Sequence, residues 1–143
     1  MLNFEFIIIP IFAGVLSQII KLIIDAINHK FSWKDLNSYG GMPSSHAALV
    51  ISLVALIGYR EGWESASLAI ALVIAIITLR DAGGFRKLLG NHAKELNQIV
   101  HTISPQYNYE YAHLQERIGH TPLQLLAGSA IGVFVVVLYV LIF

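Results

Sequence analysis

The chain has no cysteine, so no disulfide framework or thiolate metal cage is available. Charge is scarce as well. Only 13% of the 143 residues are Asp, Glu, Lys or Arg, about half the share usual in a soluble domain. The nine basic and nine acidic residues cancel, which leaves no cationic footprint and excludes nucleic acid as a partner. Residues 1–27 have neither a basic leader nor an A-x-A cleavage site, so they read as a retained span and not as a signal peptide. No inverted repeat of the transporter kind is present.

What is abundant is apolar surface: 56% of residues are hydrophobic and the mean hydropathy is +0.67. The fold class expected is an all-α, multi-pass membrane bundle forming one domain over residues 1–143. It should have about four transmembrane helices and one amphipathic interfacial helix. Span one covers about Phe6 to Ile27. Gln18, Lys21 and Asp25 fall on one face of its second half, where ionisable groups are costly and turn to a bundle interior or a wet cavity. A polar loop over 28–42 carries Phe31, Trp33 and Tyr39 at headgroup level. Span two, Ser44 to about Tyr59, is short for a core of about 30 Å, unless it starts inside protein below the headgroups, with His46 in a recessed, partly dry pocket. Span three runs from Ser65 to about Leu79 and continues past Gly83-Gly84 into an amphipathic helix, Ala82 to Ile103, lying on the membrane or capping the bundle. A tyrosine-rich loop over 104–119, with Tyr107, Tyr109 and Tyr111 as interfacial anchors, leads to span four, which ends at Phe143. There Gly128-x3-Gly132 allows close helix approach, within the bundle or in a homo-oligomer.

Two helix starts share one design. Gly40-Gly41-Met42-Pro43-Ser44-Ser45-His46 opens span two, and Gly119-His120-Thr121-Pro122 opens span four. Proline suits a first turn and hydroxyls cap it. The open amides of a helix start attract anions, although a capped helix with a surface histidine has the same local pattern. Four spans place Lys21, Ser44, Ser45, His46, Asp81, Arg86, Arg117 and His120 on one membrane face. The remaining histidines, His29, His92, His101 and His113, read as surface residues. Two histidines among cations and helix starts, without an acidic cage, suit phosphoryl transfer with neither metal nor cofactor. One imidazole attacks phosphorus and the other protonates the leaving oxygen.

At these residues the chain resembles the type-2 phosphatidic acid phosphatase and vanadium haloperoxidase superfamily. Pro43-Ser44-Ser45-His46 is similar to its P-S-G-H motif, Lys21 to the lysine of its first motif, and His120 to the histidine of its third. The likeness covers roughly residues 14–132 and resembles the small, divergent membrane branch. It implies His120 as nucleophile, His46 as acid/base, and Lys21 and Ser44 as phosphate ligands, with a lipid or polyprenyl phosphate as substrate. Three positions depart from the pattern. Asn28-His29 stands where the first motif has R-P, Arg117 lies nearer the third-motif histidine than the usual arginine, and Gln124 replaces the aspartate four residues after it. Asp81 is a candidate to substitute for that aspartate, Arg86 for a missing phosphate arginine, and Gln18 and Gln124 for supporting roles. The alternative reading is a weakly active or inactive membrane protein that binds phosphorylated lipid or a protein partner. Lys30, Lys34, Arg80, Arg86, Lys87, Lys94 and Arg117 lie on the site face against Arg60 on the other. That bias predicts a cytoplasmic site.

Overall fold

The computed structural model describes residues 4–28, 41–107 and 111–143. Among them every regular element is helical: α1 (Glu5–Ile27), α2 (Ser45–Glu61), α3 (Ala66–Arg80), a π-helical turn (Asp81–Phe85), α4 (Arg86–Tyr107) and α5 (Pro122–Ile142). Phe31, Trp33, Tyr39, Tyr109 and His29, assigned above to loops, lie outside the described residues.

The caps explain where the helices start. Ser44 precedes α2 and its hydroxyl accepts from the Ala47 amide, while Ser65 does the same for α3 with Leu68. Thr121 caps α5 in a reciprocal box with Gln124, and Pro122 follows in the first turn. Pro43 sits one residue before the Ser44 cap, outside the helix it was expected to begin.

Among the described residues three stretches are long and apolar enough to cross a membrane: Glu5–Ile27, the continuous Ala66–Ile103 and Pro122–Ile142. The protein is an integral membrane protein with the architecture of a helical bundle. The count differs from the four spans expected, because α2 has only 17 residues. Yet α2 is the central helix, packed against α1, α3 and α5. It also reaches as far across the bundle as its neighbours. At one end Arg60 Nη2 donates to Glu5 Oε2 at 2.8 Å and the Tyr139 hydroxyl donates to the same oxygen at 2.6 Å, tying α2, α1 and α5 together. At the other end the Ser44 amide donates to the Gln124 carbonyl at 3.1 Å.

Glycine in α5 sets the depth of contact. A Cβ on Gly128 would collide with the Ser44 carbonyl oxygen, and one on Gly132 would stand 2.5 Å from the Ala48 carbonyl oxygen. The Gly128-x3-Gly132 face is thus used inside the bundle against α2. The outward sides of α1, α3 and α5 expose Ile, Leu, Val and Phe, as lipid contact requires.

The amphipathic helix is not separate from span three. α3 passes through the π-turn into α4, which begins at Arg86 and not at Ala82. The face of α4 that packs is also not the leucine face. Gly90, Ala93 and Asn97 are buried, while Leu88, Leu89, Leu96, Ile99 and Ile103 stay exposed. The small face receives the extended segment 111–121, which runs back along α4 towards the start of α5.

Candidate active site

His120 is placed by two backbone features. A π-turn inserts one residue into the helical ladder, which leaves a carbonyl without its helical partner. The Ala82 carbonyl, inside that turn, accepts the His120 amide at 2.9 Å. The preceding residue, Gly119, has φ +92°, and a Cβ there would stand 2.5 Å from the Lys87 nitrogen. Glycine is therefore needed for both conformation and space. Gly90 repeats the device one turn on: its absent Cβ would be 2.6 Å from the Glu116 carbonyl oxygen.

Asn97 clamps the same segment. It is 4% exposed. Its Nδ2 donates to the Leu114 carbonyl and to Glu116 Oε1, both at 2.9 Å, and its Oδ1 accepts the Leu114 amide at 2.9 Å. Nothing in the sequence singled out Asn97 or Glu116. The available signal was the small-residue spacing Gly90, Ala93, Asn97 on one helical face.

The His120 side chain is 6% exposed, and its Nδ1 lacks a hydrogen-bond partner among the described residues. Burial holds the imidazole below its usual pKa range. The Gln124 side chain and the Gly41 backbone favour the protonated ring, and the fields of His46 and Lys21 oppose it. The ring lines a cavity of about 390 Å³ at the start of α5, together with Gln124, Arg117, Lys87, Asp25, Glu116 and the Gly41-Met42 backbone. Asp25 lies on the face of α1 read from the sequence as turned to an interior or a wet cavity, whereas Lys87 and Glu116 were not among the candidate site residues.

The other expected residues lie around this cavity without all lining it. Lys21 is 3% exposed, and a Cβ on Gly41 would meet its Cε at 2.6 Å. The backbone before Pro43 therefore lies directly on the lysine stem. Ser44 is fully buried as the α2 cap, with Ser45 half-buried beside it and Gln18 half-buried on α1. His46 is exposed, which corrects the expectation of a recessed, dry position. It stands at the first turn of α2, within electrostatic reach of His120, Lys21, Arg86 and Asp81. Asp81 Oδ2 accepts from Arg86 Nε at 2.6 Å. These two residues thus form an ion pair whose fields reach His46, and Gln124 is the side chain beside His120. His92, His101 and His113 are exposed, as expected.

The comparisons with known proteins give the family. The sequence profile described as "Divergent PAP2 family" matches residues 2–135. The chain belongs to the divergent PAP2 family. It is also 31% identical over 133 residues to the uncharacterized membrane protein YuiD of Bacillus subtilis (strain 168), an alignment covering 85% of this chain and 84% of that protein. No solved structure matches. As a divergent PAP2 protein, the chain is a phosphatase-like membrane protein, and the whole of the site described here lies within the matched residues.

Proposed function

We propose that this divergent PAP2 protein is a phosphatase acting on a lipid or polyprenyl phosphate, with His120 as the nucleophile. One observation carries the reading: a buried imidazole with a nitrogen unpartnered among the described residues, at the start of α5 and on the wall of a cavity that Arg117 and Lys87 also line. The positive end of the α5 dipole favours an anion there, and burial lowers the pKa of the ring and so favours its neutral form, the one that attacks.

In the proposed reaction a ring nitrogen of His120 bonds to phosphorus as the bond from phosphorus to the lipid oxygen breaks. His46 gives that oxygen its proton. Water, giving a proton to His46, then attacks phosphorus and releases phosphate and neutral His120. Lys21, Arg117 and the first-turn amides of Ser45 and His46 stabilise the equatorial oxygens, while Gln124 orients the His120 ring. Arg86 acts through its pair with Asp81, biasing His46. No metal or cofactor takes part in this scheme.

A second reading, a non-catalytic binder of phosphorylated lipid, is favoured by Gln124. An amide orients an imidazole but does not stabilise its charge as a carboxylate does. Phosphate release from a panel of lipid phosphates in detergent decides between them, with trapping of an acid-labile phosphohistidine. Release that depends on His120 supports the enzyme. Binding without release under all conditions supports the second reading.

A further inference from the structure

The cavity beside His120 carries charge of both signs. Lys87 and Arg117 line it, as an anion requires, but Asp25 and Glu116 line it too. Glu116 is solvent-accessible, but its carboxylate is tethered, with His113 Nε2 also 3.8 Å from Oε1. Its Oε1 accepts a 2.9 Å hydrogen bond from Asn97 Nδ2, and Asn97 is itself buried and bonded twice to the Leu114 backbone. Asp25, half-buried at the end of α1, has no ion-pair partner among the described residues. A phosphate carried on a neutral alcohol would bring a dianion towards two carboxylates, one of them held in place. Like charges so juxtaposed select against that ligand. A cation on the ligand removes the conflict.

We propose that this cavity reads a zwitterionic headgroup, a phosphate ester whose alcohol portion carries an ammonium a few bonds from phosphorus. Glu116 and Asp25 are the specificity-determining residues for the ammonium. Asn97 is a positioning residue that holds the Glu116 carboxylate on the wall. The phosphate sits at the His120 end, so the proposal rests on the phosphate reading of that site. The ammonium sits between α1 and the 111–121 segment. A cavity of about 390 Å³ suits such a headgroup, with the remainder of a lipid left outside.

The test uses the full chain in detergent micelles and a matched pair of probes, O-phosphoethanolamine and ethyl phosphate, which differ by the ammonium alone. A second arm uses long-chain 2-aminoalkyl phosphate against alkyl phosphate in mixed micelles. The expected result is an affinity about tenfold higher for the amino member of a pair, the scale of one well-placed ion pair. Glu116→Gln and Asp25→Asn each reduce that ratio several-fold by weakening the amino ligand, with the neutral ligand bound equally or better. Asn97→Ala lowers the ratio in the same way. A merely structural loss would weaken both ligands together and leave the ratio unchanged. Preference in both arms assigns the headgroup alone as sufficient, and preference only in the lipid arm assigns a membrane-borne ligand. Equal binding of both members in both arms overturns the proposal, as does full preference in the Glu116→Gln, Asp25→Asn double variant. Hydrolysis is read separately. Discrimination without phosphate release, retained in His120→Ala, keeps this inference and removes the phosphatase. Release without discrimination does the reverse.

Discussion

At the scale of single residues the proposed mechanism depends on the burial of His120, which lowers its pKa. His120→Ala is expected to reduce phosphate release to the uncatalysed background, while Tyr111→Phe, in the segment leading to the site, leaves it intact. Release unchanged in His120→Ala would remove the mechanism. The same burial makes a pH prediction with a definite sign. The folded pKa of His120 lies below its ordinary value, so the unfolded chain binds more protons near pH 6 than the folded one. Stability therefore rises with pH there, and is lost as pH falls from the usual imidazole range, about 6.5, towards the lower folded value. Melting in detergent should be lower at about pH 5.5 than at 7.5, with the difference smaller in His120→Gln. An equal difference in that variant would place the titration elsewhere. Asn97→Ala should cost about 1–2 kcal/mol, since it removes a buried side chain and its hydrogen bonds to the Leu114 amide and carbonyl. An unchanged melting temperature would show that the clamp is not a source of stability.

At the scale of elements the decisive features are close backbone approaches, and they separate one helical glycine from another. A Cβ on Gly84 would meet nothing within 4 Å, whereas one on Gly132 would meet the Ala48 carbonyl oxygen at 2.5 Å. Gly84→Ala should be tolerated. Gly132→Val should cost about 1–3 kcal/mol through overpacking against α2, read as a fall in melting temperature. Equal melting of the two variants would contradict the packing. Deleting Gly84 is a sharper test of the π-turn. Removing one residue returns Asp81–Phe85 to a regular ladder, takes back the Ala82 carbonyl and leaves the His120 amide without its acceptor. Phosphate release should then collapse while the helix content measured by circular dichroism is kept. Full activity in the deletion would mean that His120 is positioned by other contacts.

At the scale of the whole molecule the site lies close to the opposite end of the bundle. Glu5 to Lys21, Ser44 to Arg60 and Gln124 to Tyr139 each cover about 22–24 Å at 1.5 Å per residue, against a hydrocarbon core of about 30 Å. The bonded network of Glu5, Arg60 and Tyr139 marks one end of that distance and the site marks the other. A short α2 is consistent with a site lying below headgroup level, where a lipid phosphate would be met by protein and its chains would remain in the bilayer. We propose that this face is cytoplasmic, because Lys and Arg near the spans concentrate on it. The chain has no cysteine, so single cysteines replacing the exposed Ala112 and Glu64 report sidedness directly. In intact cells a membrane-impermeant reagent should label position 64 and spare position 112, and the opposite pattern would reverse the assignment.

The sequence by itself determined the class and the capped helix starts of α2, α3 and α5. Hydropathy depends on composition, and caps depend on neighbours three residues apart, so both are written locally: Ser44, Ser65, Thr121 and Pro122 act within one turn of where they stand. Only the tertiary structure decided the rest. The short α2 counts as a full partner because three helices close around it, which no hydropathy window measures. His46 lies exposed because burial depends on what packs over a first turn. Asp81 pairs with Arg86 because a π-turn sets their relative position, and a one-residue insertion leaves little mark in a sequence. Asn97, Glu116 and Gly119 came together through a segment folded back along α4, by contacts spanning 17 to 19 residues for the Asn97 clamp. Such contacts depend on backbones meeting where side chains are absent, and an absence has no periodicity to read.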